Sequence, residues 1–141
     1  MREEEYIFCE IADERLGREN ILIVDDDVEM LKIFRFYLQD KYNVSVVNSG
    51  KAAIKLLSAD YIPDVVLLDY LMPECNGTEV FRFMKDQEKT RNIPAIFLTG
   101  VTDEKTIKEC LSYRPADYII KPIAKRALIS KLDMFFKTYE G

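Results

Sequence analysis

Residues 21–27 read Ile-Leu-Ile-Val-Asp-Asp-Asp. Four aliphatic residues in a row, without alternation, suit a strand buried on both faces. Four similar runs follow: Val44-Ser-Val-Val47, Val65-Val-Leu-Leu68, Ala95-Ile-Phe-Leu98 and Tyr118-Ile-Ile120. Their starts lie 23, 21, 30 and 23 residues apart, the spacing of strand–helix repeats rather than hairpins. Between them the apolar residues fall at helical intervals. Leu31, Phe34 and Leu38 line the first predicted helix, Ala53, Ile54 and Leu57 the second, and Val80, Phe81 and Met84 the third. Ile107, Cys110 and Leu111 give the fourth a thin stripe, and Leu128, Leu132, Phe135, Phe136 and Tyr139 mark the fifth.

Five strand–helix units predict an α/β fold: a doubly wound, five-stranded parallel sheet with helices on both faces. Its core spans residues 20–139. Residues 1–19 form an N-terminal extension. Within it, Ile7, Phe8, Ile11, Ala12 and Leu16 fit one face of a short helix closed by Gly17, and a strand through Tyr6 to Ile11 fits nearly as well. Residues 140–141 read as a tail.

Composition narrows the function. The chain has 141 residues, 20 basic against 25 acidic, for a net charge of −5. Nucleic-acid binding needs clustered Lys and Arg, so direct binding is not expected. The unbroken aliphatic runs Ile21–Val24 and Val65–Leu68 are far shorter than the roughly 18 residues of a membrane span. The first residues lack the apolar core of a secretion signal. Cys9, Cys75 and Cys110 are an odd, sparse set without metal spacing, which fits a reducing, cytoplasmic setting. Cys75 reads as an inert thiol, Cys9 and Cys110 as small apolar fillers. The chain has no histidine. Histidine-based triads and histidine-ligated zinc are therefore excluded, and chemistry rests on carboxylates, hydroxyls, lysine or thiols.

Ligands of open parallel sheets bind beyond the carboxyl ends of the strands. The first run ends in Asp25-Asp26-Asp27, the third in Asp69, the fourth in Thr99 and the fifth in Lys121. The second ends in Asn48-Ser49-Gly50, without charge, which suits an edge strand and the order 2-1-3-4-5. Carboxylates from the first and third runs then lie side by side. Two such charges about 4 Å apart repel by roughly 4 kcal/mol at an effective dielectric near 20. One lysine does not offset three acids. A hard divalent cation does, and oxygen donors suit Mg2+, which typically also takes a substrate phosphate. Thr99 supplies a hydroxyl and Lys121 a point charge for phosphoryl oxygens. Asp69 is the natural nucleophile for a covalent aspartyl phosphate.

Four stretches together carry a resemblance: Ile21–Asp27, Val65-Val-Leu-Leu-Asp-Tyr-Leu-Met-Pro73, Phe97-Leu-Thr-Gly100 and Tyr118-Ile-Ile-Lys-Pro122. In this order the chain resembles the response-regulator receiver domains of two-component signalling, chemotaxis-regulator-like phosphoacceptor modules with the flavodoxin-like order. The resemblance implies Asp69 as phosphoacceptor. It makes Asp26 the direct Mg2+ ligand, has Asp25 act mostly through water, and adds the backbone carbonyl of Leu71. Thr99 would bond the phosphoryl oxygen, Tyr118 would switch rotamer with it, and Lys121 would pair with the phosphoryl group. The Lys121–Pro122 bond is expected to be cis, and Asp27 to belong to the following loop. The implied partners are a sensor histidine kinase or histidine phosphotransfer protein and an output partner or domain. The implied readout, and a possible homodimer contact, is the face of the fourth helix, fifth strand and fifth helix. Such a module dephosphorylates itself but is not a turnover enzyme. Leu71 and Val101 hold positions that tune dephosphorylation in this family, and both are aliphatic. The chain departs from the family at Arg114-Pro115, where a Gly-Ala pair is usual, at Asn76, usually acidic, and at Ile123, often Phe.

Other readings compete. A haloacid-dehalogenase-type phosphohydrolase would use Asp25 as nucleophile and Asp27 as acid–base, but leaves Asp69 unexplained and lacks an acidic pair after the fourth run. A flavodoxin-like carrier needs a Gly- and hydroxyl-rich loop where three aspartates stand. A degenerate receiver would act only as a docking scaffold. Alone, the three aspartates would also serve as a helix N-cap cluster.

Overall fold

The computed structural model describes residues 5–9 and 17–140, with the side chains of the last two of these outside the description. Six strands and five helices follow in the order β1 (Ile7–Phe8), β2 (Asn20–Val24), α1 (Val28–Leu38), β3 (Asn43–Val47), α2 (Gly50–Ser58), β4 (Val65–Asp69), α3 (Gly77–Asp86), β5 (Ala95–Thr99), α4 (Glu104–Ser112), β6 (Asp117–Ile120) and α5 (Lys125–Glu140). The five predicted runs are β2 to β6. They pair in parallel in the expected order, with β3 outermost, then β2, β4, β5 and β6.

Residues 21–24, 65–68 and 95–98 are all buried, so their unbroken apolar character reflects two covered faces. The side-chain period of two sorts them into two cores. Leu22, Val24, Val66, Leu68 and Phe97 face α2, α3 and α4 through Ala53, Leu57, Val80, Met84 and Cys110. Ile21, Ile23, Val65, Leu67 and Leu98 face α1 and α5 through Leu31, Phe34, Leu38, Leu128 and Leu132. Helix α4 is the thin cover: only Cys110 is fully buried. Leu111, expected on its inner stripe, is 48% exposed.

The sheet gains a sixth strand. β1 pairs antiparallel with β3, Ile7 against Val47 and Phe8 against Val46. The strand expected at the edge of the sheet is therefore covered. The Tyr6 N–H donates to Asn48 Oδ1 at 2.8 Å, the Asn48 N–H returns to the Tyr6 carbonyl at 3.1 Å, and the Arg35 guanidinium lies 3.5 Å from the Phe8 ring centre. Ile7 and Phe8, offered to a helix in one reading, are strand; Ile11, Ala12 and Leu16 lie outside the described residues. Gly17 takes φ +61, a conformation that glycine adopts without steric cost. Cys9 is exposed rather than a filler and accepts from Ser45 Oγ at 3.5 Å. No described helix is long and apolar enough to cross a membrane.

Candidate functional site

β2, β4, β5 and β6 end at one level, and their last or next residues bring the site together. Asp25, just past β2, is fully buried. Its N–H donates to the Val47 carbonyl at 3.2 Å, its Oδ1 accepts from the Asp27 N–H at 3.0 Å, and its Oδ2 accepts from Lys121 Nζ at 2.9 Å. Asp69 closes β4, 4% exposed, with its Oδ1 3.4 Å from the same Lys121 Nζ. Asp26 is half-buried beside them, and one carboxylate oxygen from each of Asp25, Asp26 and Asp69 lies within 4.8 Å of the others.

The electrostatics follow from this crowding. Burial first, then the charge of Asp25, push the Asp69 carboxyl up to about 8, against the pull of Lys121. Burial alone would depress the Lys121 ammonium. The hydrogen bond and charge of Asp25, with Asp69, outweigh it and hold Lys121 above its ordinary value. If all three acids ionise, one lysine leaves a net charge of −2. The donors are all hard oxygens, so the set fits a divalent cation of the Mg2+ type.

Thr99 ends β5, 2% exposed. Its Oγ1 accepts from the Val101 N–H at 3.1 Å and reaches the Val101 carbonyl at 3.3 Å. Lys121 is aligned with Thr99 by its N–H, which donates to the Thr99 carbonyl at 2.8 Å, and the Lys121–Pro122 bond is cis, as expected. Tyr118 lies half-buried on β6 opposite Phe97 and packs on the core facing α2 to α4. Leu71 follows Asp69 by two residues, with its side chain 52% exposed.

Asp27 stands apart from the cluster. Its side chain accepts from the Glu29 and Met30 N–H groups as the N-cap of α1. Of the three consecutive aspartates, one is thus a cap and two belong to the site.

Two contributors were not singled out from the sequence. A Cβ on Gly77 would fall 2.1 Å from the Asp69 carbonyl oxygen, so only glycine lets the start of α3 press on the backbone that carries Asp69. Tyr70 packs edge-on against Phe97 at 5.2 Å and donates to Glu109 of α4 at 3.4 Å. It links the neighbour of Asp69 to α4. The Asn76-Gly77 pair at the start of α3 is a sequence signal for the first; nothing local marks the second.

Residues 21–133 match the family model for the response regulator receiver domain. The chain belongs to this family. The receiver domain is 37% identical over 115 residues to the response regulator SaeR of Staphylococcus aureus, a match covering 81% of this chain and 49% of that protein. The chain thus spans about half the length of the curated relatives it matches. Among solved structures, the receiver domain of a Syntrophus aciditrophicus signal transduction histidine kinase superposes with a TM-score of 0.76 at 30% identity, covering 85% of this chain and 91% of that one. The receiver domain of a Pseudomonas aeruginosa sensor histidine kinase, with a magnesium ion coordinated in its active-site cleft, gives 0.76 at 26% identity, covering 84% and 97%. The α/β fold of this receiver domain is shared with both.

Proposed function

We propose that the chain is a phosphorylation-dependent switch that accepts a phosphoryl group on Asp69 from a phosphohistidine of a sensor kinase or phosphotransfer protein. One observation carries this reading: Lys121 Nζ lies 2.9 Å from Asp25 and 3.4 Å from Asp69, at the mouth of a carboxylate cluster that also includes Asp26. These 141 residues contain no histidine, so the phosphoryl group comes from a histidine outside them.

In this reading a carboxylate oxygen of Asp69 attacks phosphorus. The P–N bond of the donor breaks, and its imidazole leaves with the bonding pair and gains a proton from solvent. Asp25, Asp26, Asp69 and the Leu71 carbonyl would hold Mg2+, which would supply positive charge against the acids and the phosphoryl oxygens. Lys121 is positioned by Asp25 to pair with the phosphoryl group. Thr99 gives up its contacts with Val101 to bond a phosphoryl oxygen, and Tyr118 moves with it. The result biases a two-state surface formed by α4, β6 and α5 toward an output partner, with a homodimer through that face as one form of output. A cytoplasmic location follows from this role. Leu71 and Val101, both aliphatic, hinder attack by water and lengthen the life of the phosphoaspartate.

The hydrolase reading is disfavoured by Asp27. Its carboxylate is committed to capping α1 and is not offered as an acid–base group. Mass spectrometry after incubation with Mg2+ and phosphoramidate tests the proposal, with wild type beside Asp69→Asn and Asp25→Asn. The expected result is gain of one phosphoryl group, lost in Asp69→Asn. Donor turnover that survives Asp69→Asn and dies in Asp25→Asn would favour the hydrolase. Neither adduct nor turnover would leave a docking scaffold.

A further inference from the structure

A second charged cleft lies at the opposite end of the sheet. It is bounded by the C-terminal half of α3, the turn before β5 and the turn between α4 and β6. Its volume is about 230 Å3, and Lys85, Arg91 and Arg114 line it, with Asn92 beside them and Phe81 among its walls. Among the described residues no carboxylate lines it. The chain is acidic overall, and many of its lysines sit against a carboxylate: Lys41 on Asp133, Lys51 on Glu74, Lys108 on Glu104 and Lys131 on Asp117. Among the described residues none of the three cations of the cleft has such a partner.

Two features shape the cleft. The Lys85 ammonium donates to the Arg91 carbonyl at 3.1 Å and lies 5.2 Å from the centre of the Phe81 ring. Arg114 takes φ +55 just past α4, where its N–H donates to the Leu111 carbonyl at 3.0 Å. Left-handed backbone at a helix end is the place of glycine or asparagine, and a long side chain there is strained. Pro115 follows at once and narrows the backbone further. The fold thus carries an exposed arginine at a strained backbone position on the wall of a cleft that Lys85 and Arg91, also exposed, line as well.

We propose that this cleft binds a small multivalent phosphate, either inorganic or the phosphate end of a small organic molecule. The volume is below the roughly 300 Å3 at which pockets begin to enclose a drug-sized ligand, so a phosphate or diphosphate group enters while any remainder stays outside. Arginine forks suit such oxygens through paired charge-assisted bonds. The site is distinct from the acidic one. The four steps from Ala95 at the cleft to Thr99 at the carboxyl end span about 13 Å of strand.

Amide chemical-shift titration of the full chain tests this, in the Asp69→Asn background and without divalent cations, so that the acidic end does not report. Inorganic phosphate, pyrophosphate and a nucleoside diphosphate are the probes, with chloride as control. Expected are saturable shifts at residues 81–92 and 113–116, tighter for pyrophosphate than for phosphate. Arg114→Gly, which relieves the backbone and keeps the fold, weakens binding about tenfold, the loss of one charge-assisted pair, and Arg91→Gln does the same. Preference for the nucleoside diphosphate over pyrophosphate identifies an organic source, and the reverse an inorganic one. Shifts that are unsaturable, equalled by chloride, or unchanged in Arg114→Gly overturn the proposal.

Discussion

The two sides of the sheet are built to different standards. On one side β3 is wholly buried, β1 covers its outer edge, and α1 sets Leu31, Phe34 and Leu38 against it and β2. On the other, β6 has only Ile119 fully buried, Ile120 is 38% exposed, and α4 contributes a single fully buried residue. The closed side carries Asp25 and Asp26. The open side carries Thr99, Tyr118 and Lys121. Asp69, on β4, stands on the seam, and Lys121 reaches across it to Asp25. A site that holds crowded like charges needs walls that do not give way. A surface that must change needs few contacts to break. If the proposed switch operates, the difference puts its fixed part on the closed side and its responsive part on the open one.

The seam gives the largest expected effect. Asp69 binds its proton more tightly in the folded chain than in the unfolded one, because its carboxyl is pushed up to about 8 from 3.8. Without divalent cations, stability therefore falls as pH rises from about 4 to about 8. Asp69→Asn removes this slope and raises stability at pH 8.5 by roughly 2–4 kcal/mol, less than the full shift because solvent at the open end of the sheet screens the charge. Thermal melts across pH in chelator check it. A wild-type chain as stable at pH 8.5 as at pH 5 would show that the acids are not under load.

The closed edge comes next. Phe8→Ala removes the ring under Arg35 and its contact with the core facing α1, and is expected to cost about 1–2 kcal/mol in urea unfolding. An unchanged midpoint would mean that β1 is an ornament on β3. The smallest effect belongs to the open edge. Ile120→Ser is expected to stay within about 0.5 kcal/mol, as exposed substitutions do. A loss as large as that of Phe8→Ala would abolish the distinction between the edges.

Much of this was legible in the chain. Runs such as Ile21–Val24 and Val65–Leu68 announce a sheet covered on both faces, since they are short, rich in β-branched residues and bounded by polar residues. The polar residues that follow the runs mark the carboxyl ends, where Asp25, Asp26, Asp69 and Lys121 come together and Thr99 ends the neighbouring strand with its hydroxyl on Val101. The N-terminal extension was less legible. A two-residue strand carries too little periodicity to separate it from a helix turn, and the pairing of Ile7 with Val47 joins residues 40 apart. Leu111 misled because a stripe of three apolar residues does not fix which way a short helix rolls.

The sequence by itself determined the element order, the two apolar layers and the set of functional groups, because periodicity and strand-end chemistry are local properties. Only the tertiary structure decided which aspartate caps α1, which oxygens Lys121 reaches, how closely Gly77 presses on Asp69, and that Arg114 shares one cleft with Lys85 and Arg91. Those outcomes depend on distances between segments far apart in the chain, which local pattern does not encode.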